Sequence, residues 1–151
     1  MTRTQLLTRI KAHFCIQELV TPERYEARKD DAWNDLPTDS LRMLLSVREA
    51  WGKPIIVNNW HTKGALKNCG LRDSNLVGAK FSGHLLGLCY DLHVIGDMKE
   101  HILFYNFCKE NYLQFGITEI ENAKATITKN GKWIHISCRP TSINDLVVID
   151  I

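Results

Sequence analysis

Two short segments constrain this chain more than any others. The first is Ser82-Gly83-His84-Leu85-Leu86-Gly87-Leu88-Cys89-Tyr90-Asp91; about forty residues later comes Trp133-Ile134-His135-Ile136-Ser137. Read as a strand, Leu88–Val94 puts Cys89, Asp91 and His93 on one face and Leu88, Tyr90 and Leu92 on the other. His84 falls just before it, in a tight approach that Gly83 and Gly87 permit. His135 shares a face with Trp133 and Ser137. Paired side by side, the two strands bring His84, Asp91 and His135 within reach of one ion. Two imidazoles and a carboxylate suit zinc, and catalytic zinc sites keep three protein ligands. The expected setting is an antiparallel sheet that carries the three ligands.

The remaining patterns supply the other elements. Residues 3–12 read as a short helix, and the polar run from Tyr25 to Pro37 as a surface loop whose Trp33 packs back. Thr38 or Asp39 caps a helix reaching about Trp51, with Leu41, Leu44 and Leu45 on one face and Gly52-Lys53-Pro54 as its stop. Ile55-Ile56-Val57 is a short strand, and Asn58 to Ser82 is irregular. Asp97 with Glu100 forms a capping box for a helix to about Tyr112, its core face expected to hold Ile102, Leu103 and Phe107. Phe115–Glu121 and Ala125–Thr128 read as strands, and Asn130-Gly131 as the tight turn before strand Trp133–Cys138. Leu146–Ile149 is the last strand. The expected architecture is a single α+β domain over 1–151, an antiparallel sheet with helices on one side.

At 151 residues the chain is long enough for one ordinary core. A formal net charge of +2, with Lys and Arg scattered, gives no basis for nucleic-acid binding. No apolar run is long enough to span a bilayer, and the first residues lack the apolar centre of a signal peptide. Five dispersed cysteines without a CxxC pair fit reduced thiols and cytoplasmic synthesis. A monomer is the expectation for such a domain.

Ser82-x-His84-x-x-Gly87-x-Cys89-x-Asp91 followed by Trp133-x-His135 resembles the SxHxxGxAxD…WxH signature of the M15 zinc peptidases. These are D-alanyl-D-alanine carboxypeptidases and phage L-alanyl-D-glutamate endopeptidases that cut peptidoglycan stem peptides, and their zinc-binding core is shared with the hedgehog signalling domain. Pro54–Trp60, Gly70-Leu71-Arg72 and His13–Pro22 are similar to segments of phage-encoded members, so the likeness covers roughly residues 13–138.

The resemblance implies that His84, Asp91 and His135 bind Zn2+, that Arg72 receives a substrate carboxylate, and that Ser82 supports the site. Cys89 stands where the family usually has alanine. One departure is clear: many members carry an acid three residues before the last histidine, where this chain has Lys132. Some phage-type members use a glutamate at the end of the preceding strand instead, which makes Glu121 or Glu119 the candidate general base, with Glu121 preferred.

The implied activity is metal-assisted amide hydrolysis in phage or prophage lysis or wall remodelling, by a protein released to the cell wall during lysis or associated with virions. A catalytically silent zinc-binding module that recognises a wall peptide or a protein partner is the alternative, and a phage assembly component a third.

Overall fold

The computed structural model describes residues 1–74 and 82–150, so residues 75–81 of the expected irregular stretch lie outside the described residues. Six α-helices are described: α1 (Arg3–Ile10), α2 (Pro22–Arg28), α3 (Thr38–Trp51), α4 (Met98–Glu110), α5 (Tyr112–Phe115) and α6 (Ala123–Thr126). The described strands are β1 (Ile55–Ile56), β2 (Cys89–Val94), β3 (Glu119–Glu121), β4 (Ile134–Ser137) and β5 (Val147–Ile149). They form one sheet in the order β1-β2-β4-β3-β5. The fold class is α+β, as the sequence predicts.

The sheet is mixed rather than antiparallel. β1–β2, β2–β4 and β4–β3 pair antiparallel, but β5 pairs parallel to β3. β5 occupies the outer edge of β3 and runs in β3's direction.

Alternation divides the central strands. Tyr90, Leu92, Ile120, Ile134 and Ile136 are fully buried on one face and join the core built by α1, α3 and α4. Leu6 and Ile10 of α1 and Leu41, Leu44, Leu45 and Val47 of α3 fill that core. Tyr90 donates its hydroxyl to Ser40 Oγ on α3 at 3.3 Å, which ties sheet to helix. Burying these side chains stabilises the fold by about 1.5–3 kcal/mol each. The opposite face of the same strands is left for polar groups.

Four local expectations are corrected. The Tyr25–Pro37 segment is helical: Thr21 accepts the Arg24 N–H, Pro22 opens α2, and a 3-10 run follows over Lys29–Asp35. Arg24 and Arg28 hold it on Asp35 at 2.9 and 2.8 Å, and Trp33 is buried. In α4 the core stripe is His101, Phe104, Tyr105 and Cys108, while Ile102 and Leu103 are 42% and 58% exposed. Asp97 does cap that helix, accepting from the Lys99 and Glu100 N–H groups. Tyr112–Phe115 is a helical turn closed by Gly116 at φ +73°, so the strand expected from Phe115 begins only at Glu119. Ala123–Thr126 is helical rather than extended because Asn122 caps it through the Lys124 N–H at 3.1 Å.

Candidate metal centre

Strand register assembles the centre. Asp91 lies opposite His135 and Cys89 opposite Ser137 across β2 and β4, where facing side chains start about 4.5–5.5 Å apart at Cβ. The β3–β4 register pairs Ile120 with Ile136, and one step further brings Glu121 to His135. All of these side chains stand on the face away from the core.

His84 arrives from a 3-10 turn, Gly83–Leu86. Ser82 caps the turn by accepting the His84 N–H at 3.3 Å. Gly87 ends it at φ +66°, a conformation open to glycine at little cost, with Pro37 packed close by. Asn58 then fixes a crossing loop: its buried side chain accepts the Cys69 N–H at 2.9 Å and donates to Val20 O at 3.1 Å. That loop presents the Gly70 carbonyl, 2.8 Å from His84 Nδ1. Since a carbonyl only accepts, Nδ1 carries the proton, and in a neutral ring Nε2 holds the lone pair.

Around Asp91 the contacts close up. His135 Nδ1 is 2.7 Å from Asp91 Oδ1, His84 Nε2 is 3.3 Å from Oδ2, and Arg72 Nη2 is 3.2 Å from Oδ2. The two imidazole rings meet edge-on, with centroids 5.2 Å apart. One donor atom each from His84, Cys89 and His135 lies within 4.8 Å of the other two. In a neutral His84 the lone pair on Nε2 faces a carboxylate oxygen, an arrangement that only a proton or a cation between them makes favourable. The donor set therefore fits a metal ion.

Electrostatics agree with this packing. Burial pushes the Asp91 carboxyl up, but hydrogen bonds from His135 and His84 and their charge outweigh it, holding it well below the usual carboxylate range. Burial pushes His135 down, yet the hydrogen bond and charge of Asp91, with Glu121 adding, leave it raised. Burial, with the Asp91 charge, pushes the Cys89 thiol far above its ordinary value. A thiol in this state keeps its proton until a metal displaces it.

The other predicted residues separate. Glu121 Oε1 sits 3.9 Å from His135 Nδ1. Glu119 is buried and turned to Arg139, whose Nη2 is 2.9 Å from its Oε1. Arg72, predicted to receive a substrate carboxylate, bonds the carboxylate of Asp91 and the Asn68 carbonyl. His93, which shares Asp91's face, turns to Cys69 Sγ at 3.6 Å. Gly70, Asn58 and Arg139 carry no ligand pattern that marks them in the sequence, although Gly70 lies two residues before Arg72 and Asn58 within Pro54–Trp60. A Cβ on Gly70 would lie 2.2 Å from the Leu19 carbonyl oxygen, so the close crossing requires glycine.

No protein-family model, curated protein or solved structure matches this chain. Among the described residues no helix is long and apolar enough to cross a membrane.

Proposed function

We propose that this chain is a zinc-dependent hydrolase of amide bonds in peptidoglycan stem peptides, a carboxypeptidase or endopeptidase of the M15 kind acting in phage or prophage lysis or wall remodelling. The observation that carries the reading is the meeting of His84, Asp91 and His135 on one buried face, with a glutamate 3.9 Å from His135. These are the residues that the signature names, on elements far apart in sequence.

His84 and His135, with Asp91, would hold the zinc. Gly70 O keeps the His84 ring in one tautomer and orientation, as outer-shell partners of metal-binding histidines do. Zinc, when bound, supplies Lewis acidity, which makes water more acidic and polarises a carbonyl. Glu121 is the general base. Its carboxylate takes a proton from the attacking water as the C–O bond forms, and returns it to the leaving amine as the C–N bond breaks. A positioned acid–base of this type is worth about 10²–10⁴-fold in rate. Glu119 has no such part, because its charge is committed to Arg139. Arg72, paired with Asp91 at 3.2 Å, would be the guanidinium that receives a substrate carboxylate.

A second reading has an observation of its own. Lys132 stands where many relatives by signature carry an acid, which favours a metal-binding module that recognises a wall peptide or a protein partner without cutting it. Incubating the zinc-loaded protein with purified stem peptides and following the products by mass spectrometry separates the two. The hydrolase reading requires cleavage that a chelator abolishes and zinc restores, and a Glu121→Gln rate lowered about 10²–10⁴-fold with zinc still bound. Chelator-resistant cleavage overturns the metal mechanism. Stoichiometric zinc with no cleavage of any stem peptide overturns the hydrolase in favour of the module.

A further inference from the structure

Cys89 differs from the other buried thiols of this chain. Cys108 sits inside the apolar core cluster, and Cys69 is engaged by His93 at 3.6 Å. Cys89 is just as buried, yet it lies outside that core, on the polar face of β2, and its sulfur makes no hydrogen bond with any described residue. Gly83 leaves the space the sulfur occupies: a Cβ there would stand 3.1 Å from Sγ and 3.9 Å from Ser137 Oγ. The sulfur and one ring nitrogen each of His84 and His135 are three donor atoms within 4.8 Å of one another, with the Asp91 carboxylate two residues along the strand.

A thiol that neither fills the core nor finds a hydrogen bond, set against two imidazoles, is placed as a metal ligand would be. We infer that Cys89 is a ligand of the metal, as a thiolate bonded beside His84 and His135. The inference rests on the metal centre proposed above and goes beyond it in putting a sulfur donor in the place given there to the Asp91 carboxylate, which names the class of cation. Sulfur selects zinc and similar thiophilic ions over magnesium, calcium and manganese. On binding, the S–H bond gives way to an S–metal bond, the proton leaves to solvent, and no oxidant is required. With Cys89 as the third protein ligand, Asp91, already bonded by His135 and Arg72, would fix the His135 ring from behind, and a position would remain for water.

Cobalt(II) titration of the metal-free full-length chain tests this without reference to activity. Wild type should bind one cobalt with visible ligand-field bands and a near-ultraviolet sulfur-to-cobalt charge-transfer band. Cys89→Ser should keep the first and lose the second, and Cys69→Ser should keep both. Excess magnesium should displace none of the cobalt. X-ray absorption on the zinc-loaded wild type reads the same bond with no variant: a sulfur shell near about 2.3 Å should appear beside the nitrogen and oxygen shell at about 2.0–2.2 Å. Bound metal with no sulfur signal, or a charge-transfer band that survives Cys89→Ser, overturns the thiolate while leaving the centre intact. No bound metal in wild type overturns both.

Discussion

Gly70→Ala is the sharpest perturbation of the centre that touches none of its metal-binding side chains. The new Cβ would stand 2.2 Å from the Leu19 carbonyl oxygen and 2.7 Å from its carbon, both backbone atoms inside the 3.0 Å that real Cβ contacts keep. Relief requires the 69–72 crossing to move off residue 19. That motion stretches the Leu71 N–H to Leu19 O bond, now 2.9 Å, and carries the Gly70 carbonyl away from His84 Nδ1. Overpacking costs about 1–3 kcal/mol, and a buried polar group left unpaired costs about 1–3 kcal/mol more. A loss of about 3 kcal/mol would lower the urea midpoint of the metal-free protein by about 2 M at an m-value of about 1.5 kcal/mol/M. Losing the carbonyl that orients His84 should also weaken metal binding about 10–100-fold, read by chelator competition. Gly52→Ala is the control: its φ of +72° closes α3 with nothing near the missing Cβ, so it should cost about 1 kcal/mol and leave metal affinity unchanged. A Gly70→Ala protein with wild-type midpoint and wild-type affinity would refute the role given to this crossing.

The remaining predictions concern pH, the core and the neighbouring glutamate. Asp91 is held below its ordinary carboxyl value, so its contribution to the metal-free fold is full above about pH 3.9 and is lost as pH falls through its depressed value. His135 is raised, so its contribution is full below about pH 6.5 and is lost as pH climbs through its higher folded value. The pair therefore favours the metal-free fold most between about pH 4 and 6.5, and denaturation across pH should show this shape fade in Asp91→Asn. Phe104→Ala should cost about 3–5 kcal/mol, whereas Leu103→Ala should stay within about 0.5 kcal/mol; equal losses would contradict the face that α4 buries. Glu119→Gln, which breaks the pair with Arg139, should leave zinc content unchanged and lower any cleavage rate far less than Glu121→Gln does.

What could be read from the sequence was the local periodicity of the longer elements and, for α4, a cap. The alternation of Cys89–Val94 separates Tyr90 and Leu92 from Asp91, and Leu41, Leu44 and Leu45 with Gly52 define α3, because each signal is complete within a few turns of chain. The apolar residues of α4 occupy every phase of the helix, so the choice of Phe104 over Leu103 for the core is made by the sheet and by Trp51, not by spacing. Ala125–Thr128 is too short for its apolar pattern to decide between helix and strand, and the Asn122 cap decided it. The parallel seat of β5 is a non-local matter of which edge is open. In the centre, the meeting of His84, Asp91 and His135 follows from strand pairing. The division between Glu119 and Glu121 does not, since it depends on Arg139, twenty residues beyond Glu119 in a loop after β4. The Gly70 carbonyl is a backbone group and leaves no side-chain signature at all.

Metal stoichiometry by elemental mass spectrometry is the most direct test of the central claim. It is read on the purified full-length chain after reconstitution with zinc, with His84→Ala and His135→Ala measured beside it. One zinc per wild-type chain, lost from both variants while their circular dichroism stays native, is the predicted result. A natively folded wild-type protein that retains no zinc, or a zinc that survives both substitutions, would contradict the account.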